Sequence, residues 1–247
     1  LDDAAIAKVA FECFAEHHYQ AFAACGFPGV RFSDARSEAF ADLAEENGLT
    51  IHRYDGRSPV TDEFFRDEKT DVPDARALRT WLKSLPKPTA VFCCNDLRAV
   101  QVLKVCADCG LKVPEDLAVL GADNDVLLCT FASPSLSSIE TDPFALGRTA
   151  AEMLDRQMQG KPSRRKASAG VAPVLHRPKR VVERSSTDTY PFRIPWLVDA
   201  VRYIRRNVAD GVTADDVVRM VGYSHPKVNQ AFTQELGHSI KKEILHQ

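Results

Sequence analysis

Short runs of apolar residues alternate along this chain with longer segments in which apolar residues recur at helical spacing. The runs at 21–25, 90–94 and 117–120 consist entirely of apolar residues, and a weaker one lies near 50–53. Strands that alternate with helices of ten or more residues indicate βαβ units around a parallel sheet. Because these runs lack polar–apolar alternation, we expect helices to cover both faces of the sheet. The sequence therefore predicts a doubly wound α/β domain.

The remaining pattern divides the chain into two folded parts joined by a linker. We predict helices over 4–18, from an N-cap at Ser33 to Asn47, and over 74–85, 96–109 and 142–159, with a loop over 121–137. Residues 171–183 read as two short extended pieces split by Pro178, and the polar residues 185–195, with two prolines, read as the linker. From Trp196 onward the pattern is purely helical. The predicted domains are residues 1–184 and 196–247.

Charge is distributed unevenly over these parts. The chain carries 32 Lys and Arg against 34 Asp and Glu, but residues 1–160 hold 16 basic against 26 acidic residues. Residues 161–184 hold eight basic residues and one acidic residue, and residues 187–247 hold eight and seven. An acidic domain joined to a basic segment and a helical C-terminal part is typical of proteins that bind nucleic acids. A solvated loop that balances an acidic domain remains the alternative.

Several function classes find no support in the sequence. It contains no phosphate loop, no dinucleotide fingerprint, no serine nucleophile elbow and no zinc-protease motif. Cys106 and Cys109 form a single pair at zinc-like spacing, with no second pair to complete a site. Seven cysteines, an odd number, fit a reducing compartment, and no apolar run approaches the ~20 residues of a membrane span. We expect a cytoplasmic protein that is not an enzyme and has no metal, cofactor or membrane partner.

Polar residues follow three of the predicted strands. In the sequence, Arg36 follows the strand at 21–25, Asn95 and Asp96 follow the strand at 90–94, and Asp123 follows the strand at 117–120. Ligands of open α/β sheets bind outside the carboxyl ends of the strands. Carboxylates accept hydrogen bonds from vicinal hydroxyls, whereas Arg and Asn donate to ring and hydroxyl oxygens. This chemistry suits a polyhydroxyl ligand, although the same residues could serve only as helix N-caps.

At these positions the sequence resembles a known family. Residues 113–124 (VPEDLAVLGADN), 134–140 (PSLSSIE) and 92–96 (FCCND) resemble the effector domain of the lac-repressor family. Residues 123–129 (DNDVLLC) look like xylose operon regulators, which fuse a sugar-binding domain of the periplasmic-binding-protein type to an AraC-type DNA-binding domain. Residues 200–208, 212–224 and 232–239 resemble the first helix-turn-helix of AraC-type regulators. The resemblance covers essentially the whole chain.

The resemblance implies residue roles in both parts. The effector sugar, expected to be D-xylose, would contact Arg36, Asn95 and Asp123, with Thr141 at a weaker position. Residues 213–221 would form the positioning helix and 225–236 the recognition helix of the helix-turn-helix. The residues expected at the DNA are Ser224, as the N-cap of the recognition helix, together with His225, Lys227, Asn229 and Gln230.

The resemblance also implies that this chain is a fragment of a homodimeric regulator. AraC-type domains have a second helix-turn-helix that does not appear here, and most of the first lobe of the effector domain is absent. We therefore expect the helices at 4–18 and 142–159 to expose apolar faces or to collapse onto each other, through Ile6, Val9, Phe14, Leu146 and Leu154. DNA binding would be sequence-specific in the intact protein and weak in this chain. The alternatives are a transport-type sugar-binding protein and a sugar-modifying α/β enzyme that uses Asp96 and Asp123.

Overall fold

A computed structural model describes residues 1–56, 72, 74–159, 174–189, 192 and 194–246 of the 247-residue chain. These residues form two compact units, Leu1–Asp188 and Thr189–Gln247. The first unit is an α/β domain and the second is entirely helical among its described residues, so the predicted fold class is confirmed.

The first unit contains one six-stranded sheet. The strands are β1 (Ala21–Cys25), β2 (Thr50–Arg53), β3 (Thr89–Cys93), β4 (Leu117–Ala122), β5 (Ser137–Glu140) and β6 (Arg180–Val182), in the order β2-β1-β3-β4-β5-β6. The first five strands in this order are parallel, and β6 runs antiparallel to β5. Every residue of β3 and β4 is buried, as the uninterrupted apolar runs predict. Residues 171–173 of the predicted extended pieces lie outside the described residues.

Helices cover both faces of this sheet. They are α1 (Asp3–Glu16), α2 (Arg31–Glu46), α3 (Ala75–Ser84), α4 (Asp96–Cys109) and α5 (Val126–Phe131), and a sixth helix, α6 (Pro143–Met158), has no buried residue. Helices α1 and α2 pack with Phe22, Phe92 and Leu120 on one face. Helices α3 and α4 pack with Val91 and Val119 on the opposite face. Alternate residues of each strand therefore enter two separate cores.

The expectation that the first and last helices of this unit expose apolar faces is wrong for α1. Ile6 and Phe14 are fully buried, and the Phe14 ring packs edge-on against Phe22 and Phe40. Helix α1 therefore belongs to this sheet and needs no other partner. Helix α6 does match the expectation, since none of its residues is buried and Leu154 is 58% exposed.

Two local predictions also need correction. Helix α2 begins at Arg31 rather than behind an N-cap at Ser33, because the hydroxyl of Ser33 accepts a hydrogen bond from the Phe27 amide (2.7 Å) and lies within the first turn. The predicted loop over 121–137 contains helix α5. Asp125 caps α5 by accepting hydrogen bonds from the amides of Leu127 and Leu128.

The start of the predicted linker belongs to the first unit. Residues Ser185–Thr187 form a 3-10 helix, and the side chains of Ser186 and Thr187 are buried. The Ser186 hydroxyl donates to the Val119 carbonyl (2.6 Å) in the centre of the sheet. Residues 185–188 are therefore held on the sheet rather than being free to move between the units.

The described residues of the second unit form four helices, α7 (Pro195–Asn207), α8 (Ala214–Val221), α9 (His225–Leu236) and α10 (Ile240–His246), with a short 3-10 turn at Val208–Asp210. A capping box between Thr213 and Asp216 starts α8, and Gly222 ends it in the left-handed conformation (φ 73°). Three residues separate α8 from α9. Val217, Val228 and Phe232 are fully buried between these helices and α7.

Candidate ligand site at the carboxyl edge of the sheet

Arg36 connects three elements at the carboxyl edge of the sheet. It projects from the second turn of α2 and is only 3% exposed. Its Nε donates to Asp3 Oδ1 (2.9 Å), and one Nη donates both to the Cys94 carbonyl (2.6 Å) and to Asp123 Oδ1 (3.3 Å). The guanidinium also lies 5.3 Å from the centre of the Phe32 ring. A buried cation is therefore fixed where β3 and β4 end.

Asp123 follows β4 directly and adopts an unusual backbone conformation. Its φ is +104°, in a region that non-glycine residues avoid at a cost of about 1–3 kcal/mol. Its side chain is 43% exposed, and Arg36 is the only described residue that donates a hydrogen bond to its carboxylate. Partial burial raises the pKa of Asp123, and the nearby Arg36 opposes this shift. The carboxylate is thus held in a strained position with acceptor sites left open.

Asn95 ends the neighbouring strand and serves as a helix cap. Its Oδ1 accepts a hydrogen bond from the Arg98 backbone amide (3.0 Å), so Asn95 is the N-cap of α4. Its amide nitrogen makes no hydrogen bond to any other described residue. Asn95 also directly follows Cys94, whose carbonyl holds Arg36. Capping through the oxygen therefore leaves the amide hydrogens for a ligand.

Thr141 is the least connected of the four predicted sugar contacts. It follows β5 and is 3% exposed. Among the described residues it makes no hydrogen bond with Arg36, Asn95 or Asp123. The structure thus joins Arg36 with Asp123 directly, places Asn95 beside them, and leaves Thr141 buried at the next strand.

Asp96 stabilises the loop that follows β4. It is 2% exposed; its Oδ1 accepts from the Ser138 hydroxyl (2.5 Å) and its Oδ2 from the Asp125 amide (2.7 Å). Burial raises its pKa to about 7, although both hydrogen bonds act in the opposite direction. A Cβ on Gly121 would lie 2.3 Å from Asp96 Oδ1, so a glycine is needed there. Both oxygens are committed to the fold, which argues against Asp96 and Asp123 as an acid–base pair.

A network of contacts around the buried Arg98, which the sequence did not predict, reaches the turn between β1 and α2. Arg98 is fully buried and binds Asp74 through two hydrogen bonds of 3.0 and 2.7 Å. The hydroxyl of Tyr54 donates to the same carboxylate (2.7 Å), and the guanidinium lies 5.0 Å from the ring of Phe27. The network fixes the β1–α2 turn from which α2 carries Arg36. Its partners are 24 residues apart and give no local sequence signal.

The predicted DNA contacts cluster at the start of α9. Ser224, His225, Lys227 and Gln230 are exposed, and the ammonium of Lys227 lies 3.7 Å from the centre of the Tyr223 ring. Ser224 occupies the N-cap position, although its side chain makes no cap hydrogen bond. Asn229 is half-buried, and its Oδ1 accepts from the Ile240 amide (3.3 Å). Of the two amide side chains among the predicted DNA contacts, Gln230 is therefore the more exposed.

The first unit, with its ligand edge, can be placed in a family. The sequence profile of the family described as a periplasmic binding protein-like domain matches residues 11–187. The chain belongs to this family. The matched residues run from α1 to the 3-10 helix that follows β6, so the periplasmic-binding-protein-like domain includes Arg36, Asn95 and Asp123.

Relatives of this periplasmic-binding-protein-like chain extend over both units. The xylose operon regulatory protein of Escherichia coli K12 is 30% identical over 246 residues, 98% of this chain and 59% of the relative. That of Haemophilus influenzae is 28% identical over 249 residues, 100% of this chain and 61% of the relative. A solved xylose-binding transcription activator matches with a TM-score of 0.66 and 29% identity, over 99% of this chain and 62% of that one. This chain thus spans about three fifths of the length of these relatives.

Two further observations concern what else the chain could bind. In the part of the chain that the structure describes, no three His, Cys, Asp or Glu side chains are grouped as a metal site would require. Nor does that part contain a helix that is both long enough and apolar enough to cross a bilayer.

Proposed function

We propose that this protein is a sugar-responsive, DNA-binding transcription regulator whose effector is a pentose, with D-xylose as the first candidate. The observation that carries the proposal is the pairing of buried Arg36 with the strained, half-exposed Asp123 at the carboxyl edge of the sheet. A cation and a carboxylate side by side can donate to a ring oxygen and accept from two neighbouring hydroxyls. Asn95 adds amide donors on the same edge. The names of the relatives support a pentose and a regulatory role.

The second unit supplies the proposed DNA contact. A recognition helix enters the major groove with its N-terminal residues, and Gln pairs with adenine there. Gln230, His225 and Lys227 are exposed on the first two turns of α9. Helix α9 contains no arginine, which weakens the phosphate contribution to affinity. Within this proposal the protein acts as a homodimer, because two such units double the number of base contacts.

Calorimetric titration tests the effector part of the proposal. The protein expressed from its complete gene is titrated with D-xylose, L-arabinose and D-glucose. We expect D-xylose to bind with a micromolar to millimolar Kd and D-glucose to bind at least tenfold more weakly. If none of the three sugars binds, Arg36 and Asp123 do not form a sugar site.

A gel-shift titration tests the regulatory part. The probes are the protein's own promoter and a scrambled duplex of equal length, each with and without D-xylose at physiological salt. We expect promoter binding that changes with the sugar, and sedimentation of a dimer. Sugar binding without any DNA binding would instead favour a transport-type binding protein. Sugar turnover would favour an enzyme.

A further inference from the structure

The loop that carries Asp123 also carries a second residue with positive φ. Asn124 follows Asp123 with φ +53°, so two consecutive non-glycine residues are left-handed or strained. The backbone amide of Asn124 donates to the Ser138 hydroxyl (3.0 Å), and the side-chain Oδ1 of Asn124 accepts from Arg184 Nη2 (2.9 Å). Asp123 faces the proposed sugar, whereas Asn124 is turned towards the segment after β6. A change in the backbone conformation of Asp123 also moves Asn124, because the two residues share a peptide unit.

Arg184 links this loop to the last turn of the first unit. Its other Nη donates to the Leu136 carbonyl (2.8 Å) at the start of β5, and its own amide donates to the Ser137 hydroxyl (2.7 Å). One guanidinium therefore spans the site loop and the strand beside it. Asn124 and Arg184 are 60 residues apart in the sequence.

The residues after Arg184 are bound to the sheet through hydroxyl groups. Ser186 accepts from the Ser137 amide (2.8 Å) and donates to the Val119 carbonyl (2.6 Å). The Thr187 hydroxyl lies 2.7 Å from that of Ser137. We call residues 184–187, with Ser137 as their partner, the hydroxyl clasp. The second unit begins two residues after the clasp, at Thr189.

We propose that Arg184 is the coupling residue of this protein: it reports sugar occupancy at Asp123, through Asn124, to the hydroxyl clasp that leads into the helical unit. The inference rests on the proposed function. A sugar that pulls on the Asp123 carboxylate changes the backbone of Asn124, and this change weakens or tightens the Arg184 hydrogen bond. The clasp then holds the chain before Thr189 in a different position. Coupling requires an element with two arrangements that both sites bias, and the hydroxyl clasp is the element to which the inference assigns this role.

Two variants separate this coupling from the binding of the sugar itself. Arg184→Met keeps an unbranched side chain and removes its donors. Asn124→Gly removes the acceptor and keeps the backbone, because glycine adopts positive φ at no steric cost. The matched control is Arg180→Met, which removes an exposed arginine of β6 whose partner is Glu140.

The measurements are the Kd for D-xylose by calorimetry and the change in promoter affinity that D-xylose causes. Allosteric coupling is typically 5–150-fold, and we expect both test variants to reduce it below about 2-fold while changing the sugar Kd less than about 3-fold. Arg180→Met should keep both values. The double variant should lose no more coupling than either single variant, because the two residues share one contact.

The outcomes distinguish this inference from the proposed function. Wild-type protein without a sugar response would refute the proposed function. A wild-type response that persists in both variants would overturn the role of Arg184. A loss of sugar affinity equal to the loss of response would also overturn it, because Arg184 would then only support the site. If Arg184→Met does not fold, Asn124→Gly decides the question alone.

Discussion

Replacing Asp123 with glycine should weaken sugar binding strongly while changing the stability of the fold little. Relief of the positive φ stabilises the folded chain by about 1–3 kcal/mol, whereas the greater freedom of glycine when unfolded costs about 0.5–1 kcal/mol. Loss of the 3.3 Å pair with Arg36 costs at most about 1 kcal/mol, since the carboxylate is 43% exposed. Arg36 itself stays paired with Asp3 and the Cys94 carbonyl. The free energy of unfolding should therefore lie between about 1 kcal/mol lower and about 2.5 kcal/mol higher than that of the wild type.

The same change removes the groups that hold the sugar. A charge-assisted hydrogen bond contributes about 1.5–3 kcal/mol, so two of them contribute about 3–6 kcal/mol. At 1.4 kcal/mol per factor of ten, the affinity for D-xylose should fall on the order of 10²- to 10⁴-fold. The affinity therefore falls much further than the stability can, which is typical of strain held at a functional position.

Urea denaturation followed by circular dichroism gives the stability, and calorimetry gives the affinity. The control is Asp125→Ala, two residues away, which removes the cap of α5. We expect the control to lose about 1 kcal/mol of stability and to keep its affinity for the sugar. Should Asp123→Gly lose more than about 2 kcal/mol, or bind D-xylose within threefold of wild type, the reasoning about this residue is refuted.

Three other changes have clear expected results. Arg98→Met leaves buried Asp74 without its cation and should lower the free energy of unfolding in urea by about 3–5 kcal/mol, whereas Arg53→Met, at an exposed pair, should change it by less than about 1 kcal/mol. In the folded protein the pKa of Asp96 is raised from 3.8 to about 7, so folding favours its protonated form. The free energy of unfolding of the wild type should therefore fall between pH 4 and pH 7, relative to that of Asp96→Asn, by up to about 4 kcal/mol. Equal pH profiles of the two proteins would contradict this prediction. Gln230→Ala should weaken promoter binding by about 1–3 kcal/mol in a gel shift while leaving the melting temperature unchanged.

Strands β1 to β4 and the edge that they share were predictable because each leaves a local signal, whereas no strand was predicted at β5. An uninterrupted apolar run such as Val91 with its neighbours indicates a strand covered on both faces. Parallel strands collect their carboxyl ends on one edge, so residues after different strands meet there, as Arg36 and Asp123 do. The role of Asn95 as a cap also follows from its position at the start of a helix.

The errors arise where the sequence shows that a surface is apolar but not what it packs against. The periodicity of α1 correctly indicates an apolar face, yet Ile6 and Phe14 pack on the described sheet. Helix α6 has the same kind of pattern, and its Leu154 is exposed. Helix α5, with six residues, is too short to show a helical period, and its one signal was the capping residue Asp125. A partner is a property of the whole fold and is absent from any window of sequence.

The hydroxyl clasp shows the same limit for polar residues, with a consequence for reading linkers. Residues 135–138 and 185–187 are each rich in serine, which in a single segment indicates a loop. Together they satisfy one another, as the bonds from Ser137 to Ser186 and Thr187 demonstrate. A buried hydroxyl is costly only when it is unpaired, so two polar segments can form an interior contact that neither could form alone. A serine-rich segment next to a domain boundary can therefore be fixed to the domain by hydrogen bonds when a second serine-rich segment lies at the start of a nearby strand.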